Sequence, residues 1–390
     1  MCWSLLLPLL AACRDAAAPL APEFPAPVPA ATHAVLPPVL PDAGTPNLPL
    51  VPLAYGTAGN PLPAHFITAP RGQLSVVSQD NTPNANPITD AGATLGRVLF
   101  YDRRLSSNQS MNCASCHQQA LGFTDPARQS VGVTGAVGEY HAPALANARF
   151  YGRGKFFWDE RAATLEAQVL QPVANPVEMN LPLADLTPRL SAAAFYAPLY
   201  RAAFGSSEIT LDRTARALAQ FIRAMQASRS RFDRAFTGAP TPGGTPNFAA
   251  VFTAQEQRGQ QLFTGTGRCA RCHITNAQVL NEPSNTGLDA TITDVGAGNG
   301  RFKAPSLRNV AVRGHFMHDG RFTTLEQVVD FYDHGVQANP GLDQRLRGPN
   351  GQPQRLNLSA ADRAALVAFL KTLTDDQLLT DVRFSNPFPR

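Results

Sequence analysis

Residues 113–117 read Cys113-Ala114-Ser115-Cys116-His117, and residues 269–273 read Cys269-Ala270-Arg271-Cys272-His273. Two thiols three positions apart, followed at once by an imidazole, suit covalent capture of a haem. The thiols reach the two vinyl groups on one porphyrin edge, and the histidine falls beneath the iron as its proximal ligand. Competing uses of one such segment are a redox dithiol or half of a zinc site. Two copies in a chain with six cysteines favour haem c twice over. The stretches upstream repeat as well: Gly96-Arg97-Val98-Leu99-Phe100 before the first motif, Gly259-Gln260-Gln261-Leu262-Phe263 before the second. The chain therefore reads as two related haem-binding halves.

The rest of the composition bounds the setting. A length of 390 residues supports two or more cores. A net charge of +4 with no basic run gives no reason to expect nucleic acid as a partner. No apolar stretch is long enough to span a bilayer. The two cysteines outside the motifs, Cys2 and Cys13, precede the body of the chain, so no disulfide framework is implied. Thioether attachment of haem is normally carried out outside the cytoplasm. Leu5–Leu10 followed by Ala11-Ala12-Cys13 resembles a signal peptide with a lipobox. Residues 1–13 are expected to be that signal, with Cys13 lipidated, which makes a lipid anchor the only membrane contact and the periplasm the location.

Elements that must position the motifs follow in order. Residues 14–85 are rich in Pro and Ala and read as an extended tether, with His33 and His65 solvated. Asp90 is placed to cap a helix over 91–101 with Leu95, Val98 and Leu99 on its apolar face. Residues 211–236 carry apolar side chains at helical spacing, and Pro240–Pro246 is the best boundary between halves. A further helix is expected over 253–263, and Ser359 with Asp362 resembles a capping box that opens a last one over 360–373. Few segments alternate with period two. The expected fold is mostly α: two cytochrome c-like haem domains in tandem, with long loops, over 86–240 and 247–385.

With the motifs and their surroundings together, the chain resembles the bacterial dihaem cytochrome c peroxidase family, including its MauG-type branch. The resemblance rests on Leu99-Phe100-Tyr101-Asp102, Met111 to His117, Phe157-Trp158-Asp159 with Arg161, Leu165-Glu166, and Asn175-Pro176-Val177-Glu178-Met179. It continues through Ala304-Pro305-Ser306-Leu307-Arg308-Asn309, His318-Asp319-Gly320 and Thr324-Leu325-Glu326. The resemblance implies that His117 holds a peroxidatic haem and His273 an electron-transfer haem fed by a small c-type cytochrome or cupredoxin. Glu166 matches the family's acid/base beside the peroxide site. A carboxyl that moves a proton between the two peroxide oxygens is expected in an apolar pocket, with its pKa raised toward neutrality. The sixth ligand of the second haem matches Tyr332, twelve residues after Gly320, with Met317 as the alternative. His318 and His334 are expected to be ordinary polar residues. A homodimer is carried over from the family alone. So is a calcium ion, whose matching positions are Arg313 and His315.

Three departures shape the functional expectation. Ser130 to Gly135 holds no histidine, so the first haem is expected to have an open sixth site unless His141 swings in. Phe156 stands where the family has a peroxide-orienting glutamine, and Ala146 where many members have a tryptophan between the haems. The leading expectation is reduction of hydrogen peroxide to water with electrons from an external redox protein. The alternatives are a MauG-like oxidase acting on a partner protein and a dihaem electron carrier without peroxidase activity.

Overall fold

The computed structural model describes residues 44–56, 59–69, 74–237 and 244–389. Cys2, Cys13 and His33 lie outside the described residues, as does most of the Pro240–Pro246 boundary. Among the described residues there is no strand, only isolated bridges between loops.

Two helix crossings organise the chain, and the repeated Gly-x-x-Leu-Phe sequence explains both. Helix Asp90–Tyr101 crosses helix Leu211–Ala224 at Gly96, where a Cβ would lie 2.0 Å from the Ala217 carbonyl oxygen. Helix Ala254–Thr264 crosses helix Ala360–Lys371 at Gly259, where a Cβ would lie 1.9 Å from the Ala365 carbonyl oxygen. Only glycine lets the backbones come this close. Four residues on, the phenylalanines pack on their partners: the rings of Phe100 and Phe221 are 5.3 Å apart and those of Phe263 and Phe369 5.0 Å apart. Side chains cap all four helices, at Thr89, Thr210, Thr253 and Ser359. The cap at the first helix is Thr89 and not Asp90. The Asp90 carboxylate instead accepts from the Tyr55 and Gly56 amides at 2.7 and 2.8 Å.

Each crossing sits at the centre of its own core. Leu95, Leu99, Leu165, Leu218 and Phe221 belong to the first; Phe232, Leu262, Leu366 and Phe369 belong to the second. The chain does not divide cleanly at the expected linker. Phe232, assigned to the first half, packs in the second core. Leu378 and Phe384, at the end of the expected 247–385 domain, and Phe388, just past it, close the first core. Gln119, just after the first haem motif, donates to the Leu378 and Asp381 carbonyls at 2.9 Å each.

The tether expected to reach residue 85 also gives way to packed chain. Tyr55, Phe66 and Val76 are buried, and a short helix runs Ala64–Ile67. His65 is buried against Asp233, contrary to the expected solvated histidine. These residues are isolated between prolines and show no periodicity, so their burial depends on partners distant in sequence.

Candidate functional site

The first motif forms a single helical turn, Cys113–Cys116, capped by Asn112 and Ser115 in a reciprocal capping box. Asn112 also donates to the Tyr101 carbonyl at 2.7 Å, which ties the turn to the end of the core helix. His117 follows with Nδ1 on the Phe123 carbonyl at 2.9 Å. That bond places the ring proton on Nδ1 and leaves the Nε2 lone pair for a metal. Burial holds the His117 pKa down, so the imidazole is neutral and ready to ligate. The second motif repeats the device: His273 Nδ1 lies 2.9 Å from the Gln278 carbonyl, and burial lowers its pKa to about 4.

The thiols argue against a redox dithiol. Burial pushes Cys113 and Cys116 up to about 12, Cys269 to about 12 and Cys272 to about 11. An exchanging dithiol needs a depressed pKa. Among the described residues no three His, Cys, Asp or Glu side chains gather as a metal site.

Above the first motif opens a cavity of about 620 Å³ lined by Cys113, Cys116, His117, Phe156, Trp158 and Leu165, among others. This is the size range of cofactor pockets, about 300–1,000 Å³. Two thiols, a neutral imidazole with a free Nε2 and a largely apolar wall fit a covalently bound haem. Ser130, Val131 and Gly132 line it from the loop that lacks a histidine. His141 also lines it; its Nδ1 lies 3.1 Å from the Arg128 carbonyl, and its buried Nε2 has no partner.

Glu166 differs from expectation in its surroundings. It sits in the first turn of helix Leu165–Gln168, capped by Thr164. Leu165 and Gln168 line the cavity, while the Glu166 carboxylate turns to Arg223, at 2.6 and 3.0 Å, and to Asn86 at 2.8 Å. Burial alone would raise its pKa, but the hydrogen bonds from Arg223 and Asn86 outweigh it and the net direction is down. The expected apolar pocket with a raised pKa is corrected to an ionised, clamped carboxylate. The carboxyl that does line the cavity with a raised pKa, through burial, is Glu178. Arg223 and Asn86 were missed in the sequence. The available signal was Gln220 and Arg223, three apart on one helical face and both buried; Gln220 donates to Asn86 at 2.8 Å.

Tyr332 lies in a π-helical turn, Phe331–Gly335, that follows helix Leu325–Asp330. Such turns recur at functional sites. Burial pushes its phenol far up, and Cys272 and Cys269 lie near enough to add to that rise. Met317 packs with Tyr332 in one apolar cluster. His334 is bonded to Asp333 at 3.2 Å, and His318 stacks on Phe302 with ring centres 3.6 Å apart. At the positions carried over for calcium, Arg313 donates to the Ser306 and Arg308 carbonyls at 2.6 Å each, and His315 Nδ1 lies 2.9 Å from the Gly320 carbonyl.

Residues 90–241 match the family model for di-haem cytochrome c peroxidase, and residues 256–374 match that for cytochrome c. A methylamine utilization protein MauG from Methylorubrum extorquens is 36% identical over 302 residues, 75% of this chain and 80% of that protein. The chain belongs to the di-haem cytochrome c peroxidase and MauG family. Its members are oxidoreductases with haem c as cofactor. A cytochrome c551 peroxidase from Nitrosomonas europaea is 30% identical over 299 residues, covering 73% of this chain and 80% of the relative. Among solved structures, a MauG-like protein associated with microbial copper homeostasis superposes with a TM-score of 0.68 at 32% identity, over 82% of this chain and 99% of that one. The fold is likewise that of the diheme peroxidase BthA from Burkholderia thailandensis, at a TM-score of 0.62, 23% identity and coverage of 78% and 92%. The mostly helical, two-haem-domain expectation holds for the family and for the elements described.

Proposed function

We propose that this protein reduces hydrogen peroxide to water at the haem held by Cys113, Cys116 and His117, with electrons from a small c-type cytochrome or cupredoxin entering through the haem held by Cys269, Cys272 and His273. The observation that carries the proposal is the cavity over His117: residues 130–135 bring no histidine to it, and His141, which does line it, is held through Nδ1 by the Arg128 carbonyl. When bound, the haem supplies the redox chemistry and the binding of peroxide. The chain supplies the rest. His117 presents a neutral Nε2 fixed by Phe123. Glu166, the acid/base matched from the family, is held ionised by Arg223 and Asn86 beside the cavity wall, and would turn from that clamp to take the proton from one peroxide oxygen and return it to the other. Tyr332 is the proposed sixth ligand at the second haem, ahead of Met317. Attachment of haem c would put the protein outside the cytoplasm, where Cys13 would anchor it by lipid. No helix among the described residues is long and apolar enough to cross a membrane.

Electron paramagnetic resonance of the fully loaded oxidised protein tests this. A high-spin ferric signal that vanishes on adding peroxide is expected. Two low-spin signals unmoved by peroxide would favour the electron-carrier reading. A second enzymatic reading is a MauG-like oxidase of a partner protein, favoured by Tyr332 and by the similarity to MauG proteins. Ala146, which stands where many members carry a tryptophan between the haems, counts against it. Peroxide-dependent oxidation of a co-encoded protein, with no turnover of a reduced donor, would select that reading.

A further inference from the structure

The second half contributes a side chain to the first cavity. Lys303 lines it, and its backbone amide donates to the Trp158 carbonyl at 2.8 Å. Its ammonium lies 4.3 Å from the centre of the Tyr151 ring and 4.5 Å from that of Phe156. Aromatic faces attract a cation but accept none of its three strong hydrogen bonds. The Tyr151 hydroxyl donates to Glu160, itself chelated by Arg153 at 2.8 and 2.9 Å, and takes no hydrogen bond from Lys303. Among the described residues no side-chain hydrogen bond or ion pair reaches the Lys303 ammonium. Burial lowers its pKa to about 8, and the Glu160 carboxylate, already chelated by Arg153, offsets only part of that cost.

The cavity's own cofactor carries what is missing. Attachment through Cys113 and Cys116 fixes the vinyl edge of the porphyrin, so the propionate edge faces lining supplied by other segments. Two cationic side chains line the cavity, and Arg161 is already paired with Asp159 at 2.9 Å. We propose that Lys303 is the counter-ion of a propionate of the first haem, so that the haem attached to one half is held by a charge from the other. This rests on the reading that a haem occupies the His117 cavity.

The test uses the loaded protein and the variants Lys303→Met, Lys303→Gln and Lys303→Arg, with Lys155→Met as a surface control. Mass spectrometry of the Cys113–His117 peptide first establishes haem attachment; its absence in the wild type overturns the underlying reading, not merely this one. With haem attached, spectroelectrochemistry reads each haem separately. Loss of a positive charge about 10 Å from the iron, at an effective dielectric of about 20, disfavours reduction by about tenfold. The expected result is that shift at the first haem alone, in Lys303→Met and Lys303→Gln, with Lys303→Arg close to wild type. The propionate bending band in resonance Raman should move in the same two variants. An unchanged first-haem potential and an unchanged band in folded, haem-loaded Lys303→Met or Lys303→Gln would overturn the assignment.

Discussion

Asp233→Asn is expected to destabilise the protein more than any single change at the surface. Its carboxylate is buried and accepts from Arg308 at 2.6 and 2.7 Å, from His65 Nε2 at 2.7 Å, and from the Ser230 amide and hydroxyl at 2.8 and 2.7 Å. The Arg308 side chain is 0% exposed and that of Asp233 5% exposed. Asparagine keeps the shape but leaves the guanidinium without a counter-charge. Breaking one partner of such a buried pair costs about 3–5 kcal/mol. Unfolding entropy of about 2.1 cal/mol/K per residue over roughly 350 residues is about 0.7 kcal/mol/K, so Tm should fall by about 4–7 °C. The double variant Asp233→Asn/Arg308→Met should recover part of the loss, because it removes the orphaned charge as well. Differential scanning calorimetry at neutral and acidic pH is the assay. Burial would raise the Asp233 pKa, but Arg308 and His65 outweigh it and hold it far below the usual carboxylate range. Its contribution is therefore complete above the unfolded carboxyl value of about 3.9 and is lost as pH falls toward the folded value. The gap between variant and wild type should shrink below about pH 4. A loss under about 1 °C at neutral pH, or a gap that widens in acid, would refute this account.

Glu166→Gln should slow peroxide reduction by about 10²–10⁴-fold with both haems still loaded, as measured by steady-state turnover. The clamp by Arg223 lowers the Glu166 pKa, so the acid limb of the rate profile should lie below the ordinary glutamate range, and Arg223→Met should move it upward. Tyr332→Phe should add a second high-spin ferric signal in electron paramagnetic resonance if Tyr332 ligates the second haem; an unaltered low-spin signal would hand that role to Met317. Gly96→Ala and Gly259→Ala should each cost about 1–3 kcal/mol by overpacking the crossings, despite alanine's better helix propensity, as read by denaturant unfolding.

The chemistry of the chain was legible where it depends on neighbours in sequence. Cys-x-x-Cys-His, Gly-x-x-Leu-Phe and the helical spacing of Leu211 to Ile222 are local patterns, and the mostly helical fold was readable from them. The surroundings of Glu166 were not, because Arg223 and Asn86 are brought to it by helix packing across 57 and 80 positions. The same holds for Lys303, which reaches the first cavity from beyond the second motif. His65 looked solvated because proline-rich sequence carries no periodic signal, yet its ring stacks on Phe236 with centres 4.3 Å apart.

The closure of the first core by Phe384 and Phe388 bears on the order of events in biosynthesis. Until that C-terminal segment docks, the residues that cover the first core, and the Leu378 and Asp381 carbonyls that anchor Gln119 beside the motif, are not in place. The first pair of thiols would therefore stay open to haem attachment for as long as residues 378–388 are undocked, and docking of that segment would seal the first core behind the cofactor.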